Sequence, residues 1–157
     1  MKFIARLCLS FFGCGYAPIA SGTVGSFAAA IGIYFLHPWL WQLPDLTKGA
    51  VLFLAAAVIF FGGWFLIPRA LQRDFDQSWI VLDEVVGQLV AAAPLFFRTE
   101  NFLLELTTAF LLFRFFDISK IGSRRIDNLG TPLSVFADDL VAGILAAGAL
   151  IVIQLLW

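Results

Sequence analysis

Four long apolar segments, each close to the length that crosses a bilayer, constrain this chain more than any other feature of its sequence. They lie at residues 24–43, 49–67, 79–97 and 140–157, and a shorter fifth lies at residues 102–116. A helix of about 20 apolar residues spans the hydrocarbon core of a membrane, with its backbone polar groups hydrogen-bonded internally. The pattern predicts an all-α, polytopic membrane bundle with about four to five spans.

The composition agrees with a membrane protein. Hydrophobic residues make up 61% of the 157 residues and charged residues 13%, against about 25% charged residues in an ordinary soluble domain. A net charge of -1 leaves no basic field for nucleic-acid phosphates. We therefore expect one membrane domain over residues 1–157 and no nucleic-acid partner, while the sequence assigns no oligomeric state.

Basic residues predict the orientation of the spans, because Lys and Arg in short loops stay on the cytoplasmic side. With the N-terminus in the cytoplasm, two basic residues, Lys48 and Arg98, lie outside, and Arg114 lies within the fifth segment. The remaining seven lie inside: Lys2, Arg6, Arg69, Arg73, Lys120, Arg124 and Arg125. The loop at residues 117–138 is therefore predicted to be cytoplasmic.

Acidic residues gather at the same predicted face, each at one end of an apolar segment. They are Asp83, Glu84, Asp117, Asp138 and Asp139. An ionisable group at this depth is costly unless it is paired or bound to a metal. Carboxylates brought together repel one another unless a cation neutralises them, and hard oxygen ligands suit Mg²⁺. We predict a magnesium site, with helix capping or ion pairs to Arg69, Lys120 and Arg124 as the alternative.

Two of the acidic clusters share a spacing. In DEVVG at residues 83–87 and DLVAG at residues 139–143, a glycine follows the acid by four residues and so lies on the same helix face. Glycine at such positions lets two helices approach closely. The pattern predicts a tight helix pair that brings Asp83 and Asp139 together.

A Gly-, Ser- and Thr-rich stretch precedes the first long segment. Backbone N–H groups at residues 22–26, at a helix N-terminus, would form an anion-binding nest, with hydroxyl donors from Ser21, Thr23 and Ser26. Lys120 and Arg124 would hold a phosphate from the other side. The alternatives are an ordinary helix start and a simple topogenic role for the basic residues.

Two familiar routes of phosphate chemistry are excluded by the residues present. His37 is the only histidine, so a phosphohistidine mechanism with a second histidine as the acid is impossible. No Cys-x₅-Arg motif occurs, which excludes a cysteinyl-phosphate intermediate.

Four blocks occur along the chain in a fixed order: GYAPIASGTVGS at residues 15–26, IVLDEVVG at 80–87, FRFFDISK at 113–120 and VFADDLVAG at 135–143. In this order they resemble the phosphatidylglycerophosphatase A family, magnesium-dependent enzymes of the bacterial membrane that remove the terminal phosphate of phosphatidylglycerophosphate. The family usually has a Pro-x-Pro stretch after the lysine, whereas residues 121–123 here contain no proline.

The resemblance implies a Mg²⁺ cofactor, a phospholipid substrate and a multi-pass protein of the inner membrane whose site faces the cytoplasm. It implies that the five acids form the metal site, with Asp83, Glu84, Asp117 and Asp139 in catalysis. The implied phosphate-binding residues are Gly22, Thr23 and Lys120, to which the predicted nest adds Ser26 and the basic cluster adds Arg124. Two rival functions remain open: a small cation- or proton-coupled transporter that uses the acids, and an assembly subunit without catalysis.

The predicted orientation can be tested with single cysteines in a chain whose two native cysteines are replaced. A cysteine at Ser123 should stay unlabelled by a membrane-impermeant reagent in intact cells and become labelled after permeabilisation. Labelling at position 123 in intact cells, together with an unlabelled cysteine at Lys48, would show that the orientation is opposite to the predicted one.

Overall fold

Every regular element in the described part of the chain is helical. The computed structural model describes residues 2–71, 77–97, 99, 101–122 and 131–156. These residues form six α-helices: α1 (Lys2–Leu9), α2 (Ser21–Leu40), α3 (Asp45–Ala70), α4 (Leu82–Ala92), α5 (Phe102–Ser119) and α6 (Pro132–Leu156). Short 3₁₀ helices follow α1 and α4, at Cys14–Tyr16 and Ala93–Phe96. The predicted all-α class is confirmed.

Within the described ranges, three helices are long and apolar enough to cross a membrane: Ser21–Leu40, Ala50–Ala70 and Pro132–Leu156. The predicted count of four to five spans is not confirmed. α5 has 18 residues and includes Glu105, Arg114 and Asp117, three charged residues in an otherwise apolar helix.

The segment at residues 79–97, predicted as a span, contains a much shorter helix. α4 has 11 residues, a rise of about 16 Å against the roughly 30 Å of a hydrocarbon core. Pro94 explains where it ends, because proline lacks an N–H and its ring clashes with the carbonyl four residues earlier. The chain continues instead as the 3₁₀ turn Ala93–Phe96.

α4 lies at the centre of the bundle. Nine of its 11 residues are buried, and it contacts α2, α3, α5 and α6. A helix covered by other helices need not span the hydrocarbon by itself, because its ends face protein and not lipid. The outer helices therefore contact the lipid, and α4 forms the core against which they pack.

Large apolar side chains cover the outer surface of the bundle. Phe35 on α2, Leu54 on α3 and Leu155 on α6 are 69%, 65% and 70% exposed. Apolar exposure on this scale marks a surface that contacts something other than water. Together with the three long apolar helices, it fits a protein embedded in a bilayer.

The predicted close approach of two helices is confirmed at Gly87 and Gly143. A Cβ added at Gly143 would lie 2.5 Å from the carbonyl oxygen of Gly87 and 3.1 Å from its Cα. A Cβ added at Gly87 would lie 2.8 Å from the backbone oxygen of Asp139. Any side chain at either position would force the backbones of α4 and α6 apart.

This contact predicts a position-dependent effect of adding one methyl group to α6. Gly143→Ala should lower the stability by about 1–3 kcal/mol, because the methyl group meets backbone that must shift. Gly148→Ala is the matched control, since a Cβ there meets nothing within 4 Å and alanine is the better helix former. Thermal unfolding in detergent compares the two; equal midpoints would contradict the proposed packing constraint.

Candidate active site

A cavity of about 310 Å³ opens at the end of the bundle where α2, α4 and α6 begin and α5 ends. All five acids singled out from the sequence line it, as does Lys120. Ser21, Ser78 and Ser134 add hydroxyl groups to its wall. The sequence prediction that separate acidic clusters converge on one face is confirmed for these residues.

Helix geometry explains how the acids meet. Asp83 and Glu84 occupy the first turn of α4, where the positive end of the helix dipole favours carboxylates. Asp117 lies in the last turn of α5, and Asp138 and Asp139 lie on α6. The glycine contact between α4 and α6 then sets how closely Asp83 and Asp139 approach.

Capping does not explain Asp138 and Asp139, which the sequence placed at the start of a span. α6 begins at Pro132, six residues before Asp138, so both acids lie beyond its first turn. Thr131 and Ser134 cap that helix reciprocally: the N–H of each donates to the other's side-chain oxygen, at 2.9 and 3.1 Å. Because the capping residues and the two acids are polar, the apolar segment of the sequence begins at Leu140, eight residues after the start of the helix.

Asp83, Glu84 and Asp139 form a compact carboxylate cluster. One oxygen from each lies within 4.8 Å of the others. Asp83 and Asp139 are buried, and the buried Oε2 of Glu84 has no hydrogen-bond partner among the described residues. Three hard oxygen donors, close together and incompletely satisfied, fit a divalent cation such as Mg²⁺ in chemistry. The cluster could hold a metal ion, and its donor set leaves the identity of that metal open.

Asp117 and Asp138 pair instead with basic side chains. Nη1 of Arg114 lies 2.8 Å from Oδ2 of Asp117, and Nζ of Lys120 lies 2.5 Å from Oδ2 of Asp138. Lys120 also lies 3.6 Å from Oδ1 of Asp117. The ion-pair alternative thus holds for these two acids in part, and their role as metal ligands stays a prediction.

The position of Lys120 follows from the end of α5. It is the C-cap residue, with a left-handed φ of 52°, and its side chain lines the cavity. Burial alone lowers the pKa of its ammonium group, but the hydrogen bond and charge of Asp138 and the charges of Asp139 and Asp117 outweigh burial, so the net shift is upward. The side chain therefore stays cationic at neutral pH.

The predicted nest lies beside the carboxylate cluster. Ala20, with φ 51°, precedes α2, and the Ser21 hydroxyl donates to the carbonyl of Ser78. A Cβ at Gly22 would collide with Oε1 of Glu84, so the backbone of Gly22 borders the site. The first N–H groups of a helix have no partner within it, so those of α2 are available to a ligand at this end of the bundle.

Three other residues were predicted to bind phosphate: Thr23, Ser26 and Arg124. Thr23 is half-buried. Ser26 is buried, and its hydroxyl donates to the carbonyl of Gly22 at 2.8 Å and accepts from Nη1 of Arg114 at 3.2 Å. Arg124 lies outside the described residues. Phosphate binding by these residues stays a prediction.

Arg114 is the site residue that the sequence reasoning missed. It links Ser26 on α2 to Asp117 on α5, and its buried Nε has no hydrogen-bond partner among the described residues. The signal was present: an arginine inside an apolar segment, one helical turn from an acid, is costly without a role.

Comparison with known proteins agrees with this geometry. The profile of the phosphatidylglycerophosphatase A family matches residues 7–154. A Bacteroides thetaiotaomicron protein, provisionally named a phosphatidylinositol-3-phosphatase, is 33% identical over 149 residues, covering 91% of this chain and 89% of the relative.

Two relatives are named phosphatidylglycerophosphatase A. The Escherichia coli K12 protein is 32% identical and the alignment covers 93% of this chain and 81% of that protein. The Haemophilus influenzae protein is 31% identical, with 91% and 84% covered. No solved structure gives a significant match. The chain therefore belongs to the phosphatidylglycerophosphatase A family and is a phosphatase of bacterial membranes.

Proposed function

We propose that this protein hydrolyses the terminal phosphomonoester of phosphatidylglycerophosphate, giving phosphatidylglycerol and phosphate, at the cytoplasmic surface of the inner membrane. The observation that carries the proposal is one cavity that combines a three-carboxylate cluster with Lys120 and the N-terminus of α2. A transporter of cations needs the acids alone, whereas phosphate chemistry needs both the acids and the phosphate donors.

The charge balance of the cavity supports a metal requirement. A phosphomonoester carries up to two negative charges and would approach five carboxylates, which are opposed in the described residues by Arg114 and Lys120. Such an anion would be repelled unless a cation intervened. We infer that Asp83, Glu84 and Asp139 hold Mg²⁺, with Asp117 and Asp138 completing the acidic site.

The cation, when bound, would polarise a phosphoryl oxygen and lower the pKa of a water molecule. The chain's own residues bind and orient the phosphate. Lys120, fixed by Asp138 and Asp117, would offset negative charge that develops on the phosphoryl oxygens. The N–H groups of Gly22 and Thr23 would bind a second phosphoryl oxygen. Ser26 would contribute indirectly, because its hydroxyl accepts a hydrogen bond from Arg114.

Water is the nucleophile that these residues favour. His37, the only histidine, follows the start of α2 by 16 residues, a rise of about 24 Å. No Ser-His or Cys-His pair can therefore form at the cavity. A carboxylate of the acidic site would accept the proton of the attacking water.

A second candidate substrate is favoured by one relative. The Bacteroides thetaiotaomicron protein carries the name of a phosphatidylinositol-3-phosphatase, and that lipid also bears a phosphomonoester on a membrane-anchored head group. Phosphate release by the purified protein from each lipid, in matched mixed micelles, distinguishes the two. We expect the higher kcat/KM for phosphatidylglycerophosphate; release from neither lipid would support a transporter or an inactive subunit.

Metal removal is the direct test of the cofactor. Exhaustive chelation should abolish phosphate release, and Mg²⁺ should restore it, because the clustered carboxylates otherwise exclude the anionic substrate. Turnover that persists undiminished after chelation would rule out the metal site. Calorimetric titration of Mg²⁺ into the protein without substrate gives a reading that is independent of catalysis.

Asp139→Asn tests the carboxylate cluster while conserving side-chain volume. We expect kcat to fall at least about 100-fold, roughly 2.7 kcal/mol of transition-state stabilisation, and Mg²⁺ binding to weaken. Glu105→Gln is the matched control, since Glu105 lies at the end of α5 away from the cavity. Its Oε2 accepts a hydrogen bond from Nε2 of Gln154 at 2.6 Å. Equal activity in the two variants would show that Asp139 has no catalytic role.

A further inference from the structure

An apolar groove runs between α2 and α5 on the outer surface of the bundle. Its volume is about 570 Å³, and side chains at helical spacing line it on both helices: Phe27, Ile31, Phe35, Leu103, Thr107 and Phe110. The groove is open to the bilayer, since Phe35 and Leu111 are exposed along it. It lies outside the polar cavity and shares none of the cavity's lining residues.

One end of the groove leads to the catalytic cavity. α2 and α5 are antiparallel: the rings of Phe27 and Phe110 lie 6.0 Å apart, and one turn nearer the cavity Arg114 bonds Ser26. Arg114 also pairs with Asp117, which lines the cavity. The Arg114–Ser26 contact therefore marks the place where the apolar groove meets the polar site.

The groove has the length of one leaflet. From Phe27 to Phe35 the helix rises about 12 Å, and half of the hydrocarbon core is about 15 Å. Beyond that level the rings of His37 and Phe102 stack with centroids 3.7 Å apart, which joins the two helices and ends the groove. Measured along α2 from Ser21 at the cavity, the polar end of the groove lies at about 9 Å and its closed end at about 24 Å.

We propose that this groove binds one acyl chain of the phosphomonoester lipid, so that the head group extends past Arg114 into the cavity. The proposal rests on the proposed function and adds to it the part of the site that selects a membrane-anchored substrate. Three features favour an acyl chain: the apolar lining, the length of about 12 Å along α2, and the continuity with the phosphate site. Binding in the groove would orient the phosphate before reaction, which contributes to the rate through proximity.

Filling the groove should reduce the preference for long acyl chains. Ile31→Trp and Thr107→Phe enlarge side chains that line it, while Val58→Trp, on the lipid-facing surface of α3, is the matched control with Val58 62% exposed. We measure kcat/KM for dioleoyl and dihexanoyl forms of phosphatidylglycerophosphate. The ratio of the two should fall at least about 10-fold in the groove variants and stay unchanged in the control. An unchanged ratio in the groove variants overturns the proposal.

A second measurement separates the groove from the activity. A phosphonate lipid with a photoreactive acyl chain cannot be hydrolysed, and its sites of attachment can be mapped on the wild-type protein by mass spectrometry. Labelling should concentrate on α2 and α5 near Ile31 and Thr107, and it should decrease when the matched diacylglycerol replaces the phosphonate.

Equal labelling of the groove and of the Val58 surface, or labelling that does not depend on the phosphonate, would show ordinary bilayer lipid and overturn the proposal. Crosslinks between two copies of the chain across the groove would overturn it in favour of a dimer interface. Failure of the proposed function looks different: the wild-type protein would then release phosphate from neither chain length, whatever the labelling pattern.

Discussion

The backbone contact between Gly87 and Gly143 is the constraint on which the rest of the site depends. Because neither residue has a side chain, α4 and α6 meet through main-chain atoms, and the acids one turn earlier on each helix are drawn together. Asp83 and Asp139 then share a site with Glu84. Packing along the interface of the two helices thus holds three carboxyl groups close together, although such groups repel one another when they are ionised.

Burial of α4 among the other helices keeps its acidic residues away from lipid. Its acids face a cavity bounded by protein, and Arg114 and Lys120 balance part of the negative charge from α5. The long helices α2, α3 and α6 meanwhile expose apolar side chains to lipid. The outer helices therefore expose apolar side chains to the bilayer, while the inner helix contributes two of the three clustered acids.

Much of this arrangement was predictable because acidic residues are scarce in the sequence and stand out against apolar segments. The spacing of Asp83 to Gly87 and of Asp139 to Gly143 even predicted which helices would pack tightly. Other features depend on tertiary contacts that no local pattern contains. The division of five acids into a cluster of three and two ion pairs follows from the positions of Arg114 and Lys120. The predicted span count is not confirmed, and Pro94, which ends α4 early, is a tertiary-structure detail that the apolar pattern did not reveal.

The shortness and burial of α4 also constrain how the chain is assembled. α4 is synthesised before α5 and α6, yet a helix of 11 residues that begins with two acids partitions poorly into lipid by itself, because each buried acid opposes insertion by several kcal/mol. Its stable position exists only when the later helices have closed around it. Because Asp139 lies on α6, the carboxylate cluster is complete only when this last described helix has packed against α4.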